Sequence, residues 1–207
     1  MRIIIGERAN NRSVMKTPPA KRIARGATEY PAMLVSRLGN NAPAELTVLG
    51  NLDLLRARKT ALFCSARSPG DAILRAHDAA RRMRDDGVTV ISGFHSPIEN
   101  ECLRILLRGK QPIIICPARA IDEMRVPTEC RVAFDAGRVL YVSLFAGQPL
   151  RITADSAFRR NEMVAALADD AYIAHVSPGG QTTRIADMLM KWKVPLSGVS
   201  RIAHQGA

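Results

Sequence analysis

The chain has 207 residues, 47% of them hydrophobic, enough to bury a substantial core in one domain with appendages. Its longest apolar stretches, 112–116 and 139–144, fall far short of the roughly 20 residues a spanning helix needs, and charges follow at once after Ile3, Ile4, Ile5 and Gly6. A membrane span and a secretory signal are thereby excluded, and a cytoplasmic location is expected. Thirty Lys and Arg against nineteen Asp and Glu give a net charge of +11, a field that draws in polyanions, although simple solubility would also explain it.

Residues 1–60 hold eleven Lys and Arg against four acids, so +7 of the excess lies at the start of the chain. Within that part, residues 7–30 combine Asn10, Asn11, Pro18 and Pro19 with six basic residues and no lasting apolar period, which reads as a basic arm or lead-in over 1–30. From Ala61 onward, short apolar runs alternate with longer amphipathic stretches, the pattern of βαβ units around a mainly parallel sheet. A strand at 61–65 precedes a helix over 70–86, with Ile73, Ala76, Ala80 and Met83 on one face and Gly87 ending it. Strand 88–91 and helix 97–108 follow, the helix with Pro97 in its first turn and Gly109 beyond its end. The alternation continues with strand 112–116, helix 127–136, strand 139–144, a helix from Asp155 to about 168 capped by Asp155 or Ser156, strand 171–176 and a last helix to about Lys191. The expected fold is a Rossmann-like, doubly wound α/β domain over 31–207, with helices on both faces of a mainly parallel sheet.

In such a sheet, ligands bind beyond the carboxyl ends of the strands, where helix N-termini offer unpaired N–H groups and partial positive charge. Three strand-to-helix loops therefore matter most: 65–70 (Ser-Ala-Arg-Ser-Pro-Gly), 92–97 (Ser-Gly-Phe-His-Ser-Pro) and 177–183 (Ser-Pro-Gly-Gly-Gln-Thr-Thr). Consecutive Gly179 and Gly180 free the backbone to wrap an oxyanion, and Thr182 and Thr183 add hydroxyl donors. The Lys of a Walker A loop is absent, as is a Gly-x-Ser-x-Gly nucleophile elbow. Asp169-Asp170 reads as a solvated helix end rather than an acid/base pair. His95 and His175 sit at expected strand ends, as ligand contacts or as hydrogen-bonded structural residues. Cys64, Cys102, Cys116 and Cys130 lie far apart, with no metal-ligand spacing, and read as small buried side chains in a reducing compartment.

In this order, the loops resemble the DNA-processing protein A family (DprA, also called Smf), over about 30–196. The family's Ser-Gly-x-Ala-x-Gly-Ile-Asp segment is similar to Ser92-Gly93-Phe94-His95-Ser96-Pro97-Ile98-Glu99, with the second glycine gone and Glu99 for the acid. Its Gly-Ser/Thr-Arg loop is similar to Ser65-Ala66-Arg67, its Phe-Pro-x-Arg-Asn-Arg segment to Phe158-Arg159-Arg160-Asn161-Glu162, and its Ser-Gly-Ser/Thr loop, loosely, to Gly179-Gly180-Gln181. The resemblance implies a single-stranded DNA partner, in DNA processing or in the uptake of transformation. It implies no catalytic residue, no metal and no cofactor. The phosphate-contacting residues would be Ser65, Arg67, Ser92, Gly93, Arg160, Asn161, Gly179, Gly180, Thr182 and Thr183. A homodimer is left open. Pro178-Gly179-Gly180 also resembles the start of the Pro-Gly-Gly-x-Gly-Thr-x-x-Glu loop of Lonely-guy-type phosphoribohydrolases, which makes a nucleotide-binding or nucleotide-sensing protein the alternative. Ala186 stands where that chemistry needs its glutamate.

Overall fold

The computed structural model describes residues 18–65, 68–147, 151–176 and 179–198. Eight strands form one sheet: β1 (Lys21–Ala24), β2 (Glu45–Gly50), β3 (Lys59–Phe63), β4 (Thr89–Ser92), β5 (Ile113–Ile115), β6 (Val139–Ser143), β7 (Asp170–Ile173) and β8 (Leu196–Ser197). Their spatial order is β1-β2-β6-β5-β4-β3-β7-β8. From β6 to β8 every neighbouring pair is parallel, whereas β1 and β2 run antiparallel at one edge. The six helices are α1 (Ala32–Leu38), α2 (Gly70–Asp85), α3 (Pro97–Leu107), α4 (Thr128–Asp135), α5 (Ala154–Leu167) and α6 (Gln181–Lys191).

Side chains alternate across the sheet and divide the core in two. Ala61, Phe63, Ile91, Ile114, Leu140, Val142 and Ile173 point to the face covered by α1, α5 and α6. Leu62, Val90, Ile113, Ile115, Val139 and Tyr141 point to the face covered by α2, α3 and α4. Burying each such side chain contributes roughly 1.5–3 kcal/mol, so the near-continuous apolar runs of the parallel strands are what fix the sheet as the centre of the molecule. The doubly wound α/β architecture expected from the alternation is the one observed.

The differences have local causes. Lys21–Ala24, within the expected lead-in, forms the edge strand β1, which a period count misses because only Ile23 of its four residues is buried. The lead-in up to Thr17 lies outside the described residues. Strand β2 was not expected at all, although its Leu46, Thr47, Val48 and Leu49 are buried. The cap of α5 is Thr153 rather than Asp155 or Ser156: its side chain accepts from the Ser156 N–H at 3.1 Å, and the Ser156 hydroxyl oxygen accepts in return from the Thr153 N–H at 2.9 Å. Asp169 is no merely solvated helix end, because its carboxylate accepts from the Lys59 N–H at 2.8 Å and pairs with the buried Lys59 Nζ at 3.6 Å, clamping the start of β3 beside β7. Gly87 does end α2, at φ 73°, with its own N–H donating to Arg84 and that of Val88 to Met83.

Candidate functional site

β3 has β4 on one side and β7 on the other, so the winding of the chain reverses there and the loops leaving the two carboxyl ends diverge. The gap they leave is a cleft of about 370 Å³. Phe63, Cys64 and Ser65 follow β3 into it, and His95, Ser96 and Glu99 come from the β4–α3 junction. Ala157, Arg160 and Asn161 on α5, with Gly180, Gln181 and Thr182 opening α6, complete the lining.

The β4–α3 side is closed by the chain's own groups. Ser96 caps α3 by accepting from the Glu99 N–H at 3.2 Å, and the Glu99 carboxylate reaches back to accept from the Ser96 and His95 N–H groups at 3.3 and 3.0 Å. Its other oxygen accepts from the Cys64 N–H at 3.1 Å, across from β3. Glu99 is 6% exposed, yet its charge is spread over three backbone donors at a helix N-terminus. Arg160, 3% exposed, donates to the Cys116 carbonyl at 2.9 Å and to the Asn161 side-chain oxygen at 2.8 Å. Burial lowers the Arg160 pKa, and the charge of Glu99 partly offsets this. Gly93 belongs to the same packing: a Cβ there would overlap the Arg160 guanidinium, which is buried and hydrogen-bonded and has little room to yield. Phe94 beside it takes φ 46°, strained for a bulky residue, with its N–H held by the Ser92 hydroxyl at 3.3 Å.

The α6 side is open. Gly180 is the N-cap of α6, in extended conformation and with no side chain to accept from the first-turn N–H groups. Gln181 reaches across to the Ala154 carbonyl at 3.2 Å, tying the start of α6 to that of α5. The positive end of an 11-residue helix therefore faces the cleft opposite Arg160.

Of the residues expected to contact phosphate, Ser65, Arg160, Asn161, Gly180 and Thr182 line this one cleft. Ser92 is fully buried and holds the turn behind it, and Gly93 lies behind Arg160. Gly179, at φ 69°, and Thr183 flank the lining, and Arg67 lies outside the described residues. Of the two histidines, His95 is exposed on the lining, while His175 is half-buried and off it. Sequence reasoning did not nominate Gln181 or Ser96; the Ser-x-x-Glu capping box of 96–99 was the signal that could have found the latter. The four cysteines are buried and unpaired with one another, as expected of them. A hydrogen bond with Cys102 and then desolvation push the Cys64 thiol up, and desolvation raises that of Cys116 to about 12, so neither is a ready thiolate. Among the described residues, no helix is long and apolar enough to cross a membrane.

The family model of DNA recombination-mediator protein A matches residues 21–186. No curated protein sequence matches the chain. Among solved structures, DNA processing protein A (DprA) of Streptococcus pneumoniae superposes with a TM-score of 0.69 at 18% identity, over 88% of this chain and 62% of that one. The DNA processing protein A of Helicobacter pylori, whose structure was described for its single-stranded DNA binding mode, gives 0.66 at 18% identity, over 86% and 79%. At these identities the likeness is one of fold, and this chain spans less than two thirds of the pneumococcal protein. The family match takes in the sheet from β1 to β7, both capped helices of the cleft and the first half of α6: the chain belongs to the DNA recombination-mediator protein A family.

Proposed function

We propose that the chain binds single-stranded DNA through its phosphates at the switch-point cleft. The observation that carries this reading is the pairing of an uncapped helix N-terminus, at Gly180–Thr182, with the buried guanidinium of Arg160 across about 370 Å³ of open space. Phosphate oxygens are what such a pair accommodates, because the helix supplies N–H donors and the guanidinium a fixed fork. Arg67, which lies between β3 and α2 in the sequence, is proposed as a second forked donor to phosphate. The family membership and the single-stranded DNA described for the Helicobacter pylori protein agree in ligand class. A cytoplasmic location and a role in DNA processing follow from the same reading.

Binding without hydrolysis is the other half of the proposal. Ala186, at the position where a phosphoribohydrolase would carry its glutamate, is buried in α6. Glu99 lines the cleft with its carboxylate already accepting from three backbone N–H groups, and Glu162 faces a different cavity. Titrating a labelled oligonucleotide at several salt concentrations tests the binding: the log–log slope should be near −0.7 per phosphate neutralised. Absence of binding at low salt overturns it. Free base released from nucleoside monophosphates would overturn the second half alone.

A further inference from the structure

A second and larger cavity, of about 580 Å³, lies on the other flank of α5. Its floor is Arg159, Glu162 and Met163 of α5, one wall is the end of α1 with residues 38–44, and the other is Met188, Lys191 and Trp192 at the end of α6. Its mouth lies at the carboxyl edge of the parallel strands. Leu144 follows the end of β6, and residues 42–44 arrive there because β2 runs antiparallel to β6, with Thr47 opposite Ser143. On the α6 side the groove is lined from Met188 to Trp192, about 6 Å of helix axis at 1.5 Å per residue. That stretch is room for about two nucleotides at the 3.4 Å rise of a stacked strand.

Adjacent positions on a helix point about 100° apart, so α5 presents Arg160 to the first cleft and Arg159 to the second. Arg184 of α6 lies 3.7 Å over the ring of Phe158 on α5. Among the described residues, Arg159, Arg184 and Lys191 form no ion pair within 4 Å, and the one acid lining this cavity, Glu162, acts on Arg159 and Arg184 only from a longer distance. The cavity at the β1 edge differs: there Arg22 is neutralised by Asp122 at 2.7 Å and by Glu45 at 3.4 Å. Cations held in no close ion pair, together with a half-buried indole, are the elements that hold an extended single strand by phosphate attraction and base stacking.

We propose that the groove between α1, α5 and α6 carries the continuation of the single strand bound at the switch-point cleft, with Arg159 and Lys191 on its phosphates and Trp192 stacking on a base. This rests on the reading of the first cleft, and the test keeps the two separable. Trp192 is the chain's one tryptophan, so its emission reports on the far end of this groove alone. Oligothymidylates of about 4 and about 16 nucleotides serve as probes. The short one should bind without changing the emission, and the long one should quench it. The double variant Arg159→Ala, Lys191→Ala should leave the short probe's affinity unchanged, weaken the long probe's about tenfold and flatten its salt slope by about 1.4, two phosphates' worth. Long-probe binding with constant emission, and with no difference between variant and native protein, overturns the inference and leaves the first cleft standing. Quenching by the short probe overturns the proposed order of the two sites. Absence of binding by either probe overturns both readings.

Discussion

Two helices, α3 and α6, point their N-termini into one cleft, and they are finished in opposite ways. At α3, a serine cap and a buried carboxylate occupy the first-turn donors, and the same carboxylate reaches across to β3. At α6, the cap is a glycine, which brings no side chain of its own to accept from the first turn. Both ends carry the same partial charge from the same peptide geometry. The difference lies in what neutralises it: the chain supplies its own anion at α3, and under the function proposed above a phosphate from solution does so at α6. Such a site needs both, because the self-capped end holds the cleft's shape while the glycine-capped end is kept for the ligand.

The contrast breaks most severely at Glu99. Replacing Glu99 by Ala leaves three backbone N–H groups without their acceptor and removes the charge that partly offsets the burial of Arg160, so unfolding free energy should fall by about 3 kcal/mol or more. Urea denaturation measures it, and a loss below about 1 kcal/mol would mean that the carboxylate is replaceable by water. Gly93→Ala should come next, at about 1–3 kcal/mol, because the new methyl group must displace the Arg160 guanidinium from its bonds to Cys116 and Asn161. Single-strand affinity should fall with it, and a variant that binds as tightly as the native chain would remove Arg160 from the proposed contacts.

How legible this site was depends on which side of the cleft is considered. The alternation of apolar runs and amphipathic stretches gave the sheet from β3 to β7 and its helices to within a few residues, because strands buried on both faces must be apolar throughout. The two antiparallel strands escaped. β1 buries one residue of four, and β2 joins the sheet antiparallel, outside the repeating unit that makes the rest readable. The open end at α6 was visible as Gly179-Gly180, since glycine advertises exposed backbone. The closed end was legible only in part: the Ser-x-x-Glu pattern of 96–99 signals that Glu99 turns back to its own helix cap, but nothing local says that its other oxygen reaches across to the Cys64 N–H. Arg160 was found through its motif, but its burial beneath Gly93 is a tertiary fact that no local pattern carries.

Making the two helix ends alike sharpens the comparison. Gly180 has φ −80° and ψ 169°, which suits an aspartate cap. Gly180→Asp would give α6 the internal anion that α3 already has, gaining a few tenths of a kcal/mol in stability while weakening single-strand binding about tenfold or more. A melting curve and an oligonucleotide titration read the two effects separately. Increased stability with unchanged affinity would show that the first turn of α6 takes no part in binding.

The smallest effect concerns Glu162, which lines the second cavity. Desolvation raises its pKa above the ordinary 4.5, opposed by the nearby charges of Arg184 and Arg159 and reinforced by Asp155. The sign follows from linkage: a carboxylate whose folded-state pKa lies above its unfolded value takes up a proton more readily in the fold, so its contribution to stability is present below pH 4.5 and is lost as the pH rises through the raised value. Because the group is partly solvated, this slope should amount to no more than about 0.5 kcal/mol. Glu162→Gln removes it, so the stabilities of variant and native protein should converge at acid pH and separate as the pH rises through that window, the variant being the more stable. The same substitution takes a negative charge from beside Arg159 and Arg184, so it should also tighten binding to long oligonucleotides near neutral pH by a small factor. A native protein more stable than the variant above that window would mean that the arginines, rather than desolvation, govern Glu162.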